Sequence, residues 1–290
     1  MSTIASLISR HNKVYRRDKM LVFFSFLSVL IVIILYAVFL QKLQVDAIEA
    51  VVPASPEVTT LVNEWMIAGL LSIITITTTL AAFGIYIRDL ETKVLADFLT
   101  APISRLSLQL SYVANAWIIG FILSVIAFIL CEVFIVVSGG HFVDAATFIE
   151  IIGIIALSVS LSSMLNLFFT LLVSTQTAFS SLSTIIGTAI GFLCGVYVPM
   201  GSLPDAVQKL IQFFLISHST VLFREALMTD SLDKVFAFAP EAALDYKISF
   251  GVVYEIGDTV LSTSISYLII IVSTIALAAI SLLLFKLKSK

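Results

Sequence analysis

The chain has 290 residues, of which 60% are hydrophobic and 12% charged, with a net charge of −3 and a mean hydropathy of +1.12. A water-soluble domain carries about 25% charged residues, so a soluble globular fold is excluded. The chain also has no G-x-x-x-x-G-K-[ST] loop, which excludes nucleotide binding by that route.

Residues 1–19 place Ile4, Leu7 and Ile8 on one helical face and then present five basic residues. That pattern suits a helix lying in the inner interface beside anionic head groups, or a basic tail that only enforces topology. Six apolar runs come next, at Met20–Leu40, Trp65–Ile87, Gln109–Val137, Ile149–Val173, Phe179–Val198 and Thr259–Phe285. Each has about the twenty residues with which a helix crosses roughly 30 Å of hydrocarbon. The runs are continuous rather than alternating, which favours helices over a closed barrel. The expected fold is an all-α membrane protein, one transmembrane domain over 1–290 with six transmembrane helices. Between the first two runs, Gln41–Glu64 contains Pro53 and Pro56 and reads as at least partly irregular.

With six spans, one side holds the N-terminus, the loop 88–108, the short loop 174–178 and the C-terminal tail. That side carries Arg10, Lys13, Arg16, Arg17, Lys19, Arg88, Lys93, Arg105, Lys286, Lys288 and Lys290. The other carries Lys42, Lys209, Arg224, Lys234 and Lys247. The imbalance places both termini in the cytoplasm.

Polar residues inside the runs form stripes. Thr75, Thr77, Thr78 and Thr79 cluster at mid-depth of the second span, and Ser158, Ser162, Asn166, Thr170 and Ser174 recur every fourth residue in the fourth. Residues four apart are neighbours on a helix surface, so these form ridges that either line a polar pathway or join helices. Ser183, Gly187, Gly191 and Gly195 repeat at the same spacing in the fifth span and read as a close-packing face. Cys131 and Cys194 read as packing residues. Glu132, near the outer end of the third span, is a carboxylate within a run. A single peripheral glutamate suits a structural or gating role better than an ion relay. The three histidines lack metal-ligand spacing, and neither a catalytic group nor a metal site is expected.

Two segments discriminate further. The cytoplasmic loop 88–108 holds Leu90, Val94, Leu95 and Phe98 at helical spacing until Pro102, the pattern of a short amphipathic helix that fits a partner's groove or lies on the membrane. After the fifth span, Pro199 and Pro204 precede an apolar helical stretch, interrupted at Ser217-His-Ser, in which neither half is long enough to span. Re-entrant or interfacial helices are expected there, within an outer segment 199–258 between spans five and six.

These segments resemble those of ABC-2 type permeases, the membrane subunits of one class of ATP-binding-cassette exporter. In that family the loop after span two carries an acidic, leucine-rich helix, then a small residue and proline. Asp89, Glu91, Leu95, Phe98, Leu99, Ala101, Pro102 and Ile103 match it. The fifth span ends in Gly, an aromatic and Pro, then Leu-Pro and a re-entrant pair leading to an arginine-containing helix. Gly195, Tyr197, Pro199, Leu203, Pro204, Arg224 and Glu225 match that. Ser217-His-Ser departs from the Asn-Pro common in relatives.

The resemblance implies a coupling helix, with Asp89, Glu91, Leu95, Asp97, Phe98, Ala101 and Pro102, seated in an ATPase subunit. ATP and Mg would belong to that partner and no cofactor to this chain. It also implies a second permease subunit, identical or related, and a multi-pass location in a bacterial cell membrane, with lipid but no nucleic acid as a further partner. Spans two and five would wall the cavity, which makes Thr75, Thr77, Thr78, Thr79, Ser162, Asn166 and Thr170 pathway candidates. Glu132, Pro199, Pro204, Phe213 and Phe214 would form an outer gate. The expected activity is export of an amphipathic drug, peptide or lipid-like molecule. Lipid-linked polysaccharide export, an ion-driven carrier and a non-transporting sensor or immunity subunit remain open.

Overall fold

The computed structural model describes residues 3–50, 52–257 and 259–288. Met1, Asp258 and Lys290, which enter the expectations above, lie outside them. In chain order the elements are α1 (Thr3–Arg17), α2 (Lys19–Leu35), a π-helical turn (Tyr36–Leu40), α3 (Gln41–Glu49), α4 (Pro56–Glu91), α5 (Val94–Thr100) and α6 (Arg105–Val137). Then come α7 (Ala145–Leu172), α8 (Gln176–Leu193), a 3-10 turn (Met200–Ser202), α9 (Asp205–Phe213), α10 (Ser217–Val235) and α11 (Pro240–Ser249). A two-stranded antiparallel pair, β1 (Glu255–Ile256) and β2 (Thr259–Val260), precedes α12 (Thr263–Lys288).

The fold is all-α apart from that pair. By length and composition α4, α6, α7 and α12 can cross a membrane, and α9 with α10, bent by 89° at their junction, makes a fifth crossing if counted as one. The predicted first and fifth spans correspond to α2 with its π turn and to α8. The former has 17 residues before the turn, and the latter is rich in serine and threonine.

Helix α4 is the axis. It touches α1, α2, α3, α5, α6, α7, α8 and α10, and most of its residues are buried. Such enclosure makes its hydroxyl-rich middle tolerable, because Thr75, Thr77, Thr78 and Thr79 each return a hydrogen bond to a carbonyl three or four residues back, at 2.6–2.9 Å. Gly120 of α6 brings a third helix onto it: a Cβ there would lie 2.4 Å from Thr79 Cγ2 and 3.2 Å from Val159 Cγ1 of α7. By contrast α2 turns Met20, Phe23, Phe24, Leu30 and Ile31 outward, and α12 exposes Leu268, Ile271, Val272 and Ile275. Those are the surfaces a bilayer would cover.

Several boundaries differ from the sequence expectation. Gln41–Glu64 is mostly helix, since α3 continues the first span and Pro56 opens α4 from its first turn, the position where a missing N–H costs nothing. The helix break falls at Phe214–Ile216, and Ser217-His218-Ser219 opens α10 instead of interrupting it. Ser217 Oγ bonds the carbonyls of Ile211 and Phe214 at 2.6 and 2.7 Å, and the His218 ring reaches the Gln212 carbonyl at 3.0 Å. These polar side chains satisfy the exposed end of α9, which is why they stand beside the break and not in it. Thr259 and Val260 belong to β2, so the sixth span starts at Thr263.

Candidate functional site

Helix α1, the end of α4, α5 and the start of α6 meet in one junction. Lys93, in the left-handed region at φ 63°, turns the chain sharply between α4 and α5. Leu95 then buries in a cluster that includes Tyr86, Leu108, Tyr112, Leu171 and Phe285. The helix stops at Thr100, with Ala101 extended before Pro102. Ser104 caps α6 by accepting from Ser107 N at 3.1 Å.

Asp89, 2% exposed, is the centre of this junction. Arg10 Nη2 donates to its Oδ1 at 2.9 Å, Arg10 Nη1 faces its Oδ2, and Tyr112 Oη donates to Oδ2 at 2.7 Å. Arg10 also lies over the Phe98 ring of α5, 5.4 Å from its centre. Donating to the Asp89 carboxylate holds the Arg10 guanidinium above its ordinary pKa. His11 stacks on Tyr112 with ring centres 4.0 Å apart. Ser111 gives its hydroxyl hydrogen to the Leu108 carbonyl at 2.6 Å, so His11 Nε2, 3.1 Å from Ser111 Oγ, must carry the ring hydrogen. Nδ1 then accepts from Arg10 Nη1 at 3.1 Å. Burial, reinforced by the Arg10 charge, lowers His11 to about 4 and keeps it neutral.

The coupling-helix residues divide accordingly. Asp89 and Leu95 are buried and Phe98 half-buried against the bundle, whereas Glu91, Asp97, Leu99 and Pro102 face outward. Ala101 is half-buried at the helix end. Glu91 accepts from the backbone N–H of Gln176 at 3.3 Å and ties this loop to the start of α8.

Above the junction lies an inner cavity of about 610 Å³ between α1, α2, α4 and α8. Asp18, Arg88, Glu91 and Gln176 give its lining charged and polar groups, Leu80, Ala81, Ile85 and Phe179 form apolar walls, and Thr77, Ser180 and Ser183 supply hydroxyls. Of the four clustered threonines, Thr77 lines this space. Thr75, Thr78 and Thr79 are buried inside the bundle with Ser162, Asn166 and Thr170. There Asn166 Nδ2 donates to the Ile76 carbonyl and to Thr79 Oγ1, both at 2.8 Å, and Ser162 Oγ donates to Thr75 Oγ1 at 3.3 Å.

The glycine stripe does not form one helix contact. Gly187 faces open space, Gly191 seats the ring of Tyr197, and Gly195 turns the chain at φ 59°. The outward face of α8 instead carries exposed Thr177, Ser181, Thr184 and Thr188, the last three bonded back to their own helix.

At the outer end Glu132 is buried. It accepts from Val143 N–H at 3.1 Å through Oε2, and its Oε1 has no partner among the described residues. Pro199 and Pro204 flank the 3-10 turn, Phe213 is 77% exposed, and Phe214 packs on the core. Between them sits Arg224, 1% exposed, donating to the carbonyls of Gly195 at 2.7 Å and Gly251 at 3.2 Å, with its guanidinium 4.8 Å from the Trp65 ring. Glu64 of α4 is also buried, a carboxylate that the run starting at Trp65 missed by one residue. The junction partners Arg10, His11 and Tyr112 were missed as well, although Leu7, His11 and Tyr15 recur every fourth residue as one stripe of α1.

The family model described as ABC-2 type transporter matches residues 2–228, from the start of α1 well into α10. No curated protein matches the chain.

Proposed function

The chain belongs to the ABC-2 type transporter family, and from that premise we propose that it is the permease subunit of an ATP-driven exporter of amphipathic molecules. It is a multi-pass membrane protein of a membrane-permease family that lacks a catalytic ATPase domain. In this reading α2 with its π turn and α8 complete six spans, both termini are cytoplasmic, and α9 with α10 forms a re-entrant pair under the outer face. The lipid-like exposure of α2 and the cytoplasmic excess of basic residues support that topology.

The observation that carries the proposal is the inner cavity. Its lining combines apolar Leu80, Ala81, Ile85 and Phe179 with the hydroxyls of Thr77, Ser180 and Ser183 and the charges of Asp18, Arg88 and Glu91, and in the proposed topology it opens toward the cytoplasm. An amphipathic cargo matches that lining, with the apolar body against Leu80, Ala81 and Phe179 and polar groups near Thr77, Ser180 and Ser183. A second permease subunit would stand against the hydroxyl face of α8 and close the pathway between the two copies. Nucleotide and Mg belong to a separate ATPase subunit, which grips the outward face of α5 and switches the pair between inward- and outward-open states. The bacterial cell membrane is the expected site of action.

Filling the cavity tests this. Ala81→Phe together with Ser183→Phe should abolish export of a fluorescent amphipathic dye from energised cells while leaving the chain's abundance in the membrane unchanged. Export at the wild-type rate from the filled variant rules the cavity out as the route.

A further inference from the structure

Helix α1 does more than dock through its buried stripe. Turned away from Leu7, His11 and Tyr15, the residues Ser6, Ser9, Arg10, Lys13, Val14 and Arg17 line a separate groove of about 440 Å³. Its polar lining consists of donors: two hydroxyls, one ammonium and two guanidinium groups, with no carboxylate among the lining residues. Positions 6, 10, 13 and 17 lie along one helical row, so these groups converge along a single line.

The start of α2 sets the depth of the groove. Asp18 ends α1, its Oδ1 accepting from Leu21 N–H at 3.1 Å, and α2 starts at Lys19. From there Met20, Phe23 and Phe24 are exposed, which marks where acyl chains begin. Lys13 and Arg17 precede that apolar start in the chain, which brings them within reach of the phosphate groups beside it. Arg10 is anchored by Asp89 and only 32% of its side chain is exposed, whereas Ser6, Ser9, Lys13 and Arg17 are free-facing.

We propose that this groove is a binding site for a phosphate anion, presented by the headgroup of an anionic phospholipid in the inner leaflet. Several donors around one concavity suit a tetrahedral oxyanion better than they suit a carboxylate, and each added cation strengthens the attraction at low ionic strength. Because Arg10 belongs to both the groove and the Asp89 junction, an occupied groove would also hold α1 against α4 and α5. The proposal does not depend on the identity of the cargo.

The full-length chain in neutral detergent would be titrated with short-chain phosphatidylglycerol, with phosphatidylcholine of the same chain length and with inorganic phosphate, bound lipid being counted by native mass spectrometry. Phosphatidylglycerol should bind in preference to phosphatidylcholine, and Lys13→Gln with Arg17→Gln should weaken it by about tenfold or more. Ser6→Ala with Ser9→Ala, which leaves every charge in place, should weaken it less but measurably. Arg16→Gln removes the same charge from the same helix outside the groove and should leave binding unchanged. If millimolar inorganic phosphate displaces the lipid, the site takes free phosphate as well; if it does not, the site is one for membrane lipid. Equal weakening by Arg16→Gln, or none in the Lys13 and Arg17 variant, overturns the groove in favour of a diffuse basic surface.

Discussion

Asp89 receives Arg10 from α1 and Tyr112 from α6, while the neighbouring His11 is held neutral by burial. The Arg10–Asp89 pair lies between the exposed and the buried extreme, because Asp89 is enclosed and Arg10 is not. Arg10→Ala should therefore loosen α1 by about 1–3 kcal/mol, read as faster amide exchange along Thr3–Arg17. The pH dependence comes from His11. Undocked, it titrates at its ordinary 6.5; docked, it is held near 4. Docking strength is full above pH 6.5 and declines as pH falls from 6.5 toward 4, because only the undocked helix takes up the proton in that window. Amide exchange of α1, taken relative to the intrinsic base-catalysed rate at each pH, should rise across it in the wild type, and His11→Phe, which retains an aromatic ring against Tyr112, should remove that rise. A wild-type ratio of observed to intrinsic exchange that stays flat from pH 7 to 4 contradicts the assignment.

Helices α4, α6 and α7 owe their crossing to a few positions. Thr79 is β-branched and hydrogen-bonded to the Thr75 carbonyl at 2.7 Å, so it cannot swing away from a methyl at position 120. Gly120→Ala should cost about 1–3 kcal/mol of overpacking, seen as a lower melting temperature in detergent. For α8 the expectation is external: Thr188→Cys should cross-link two copies in native membranes, whereas Ile275→Cys on the lipid side of α12 should not. No cross-link at Thr188 would move the second subunit elsewhere. Much at this scale was legible in the sequence, because lipid demands long apolar runs and the runs name their helices. Polar helix ends were not legible: Glu57, Asn63 and Glu64 depress hydropathy where α4 already runs, and the burial of Asn63 and Glu64 depends on α10 and the outer segment. Four-residue spacing likewise identified ridges without saying which ridge meets a neighbour. Thr75, Thr79, Ser162 and Asn166 meet each other, Gly187 meets nothing within the chain, and the α8 hydroxyl row escaped notice because no single residue in it is unusual.

On the scale of the whole molecule, α5 cannot move alone. The left-handed turn at Lys93, the burial of Leu95 and the stacking of Arg10 on Phe98 bind it to α4, α6 and α1. Helix α4 in turn walls the inner cavity on one side and, through the Trp65 indole N–H bonded to the Phe250 carbonyl at 2.8 Å, reaches the outer segment. In the proposed mechanism a push on the free face of α5 would thereby be passed both to the inner cavity and to the outer segment. The most direct test is to co-express the chain with ATP-binding-cassette ATPase subunits from the same cell, purify the complex, and compare wild type with Asp97→Arg plus Leu99→Asp, two changes confined to the outward face of α5. The wild type should carry an ATPase whose hydrolysis responds to amphipathic cargo, and the double variant should fold but lose the ATPase. A folded double variant that retains a fully coupled ATPase would contradict the role of α5, and with it the proposed route of drive into this permease.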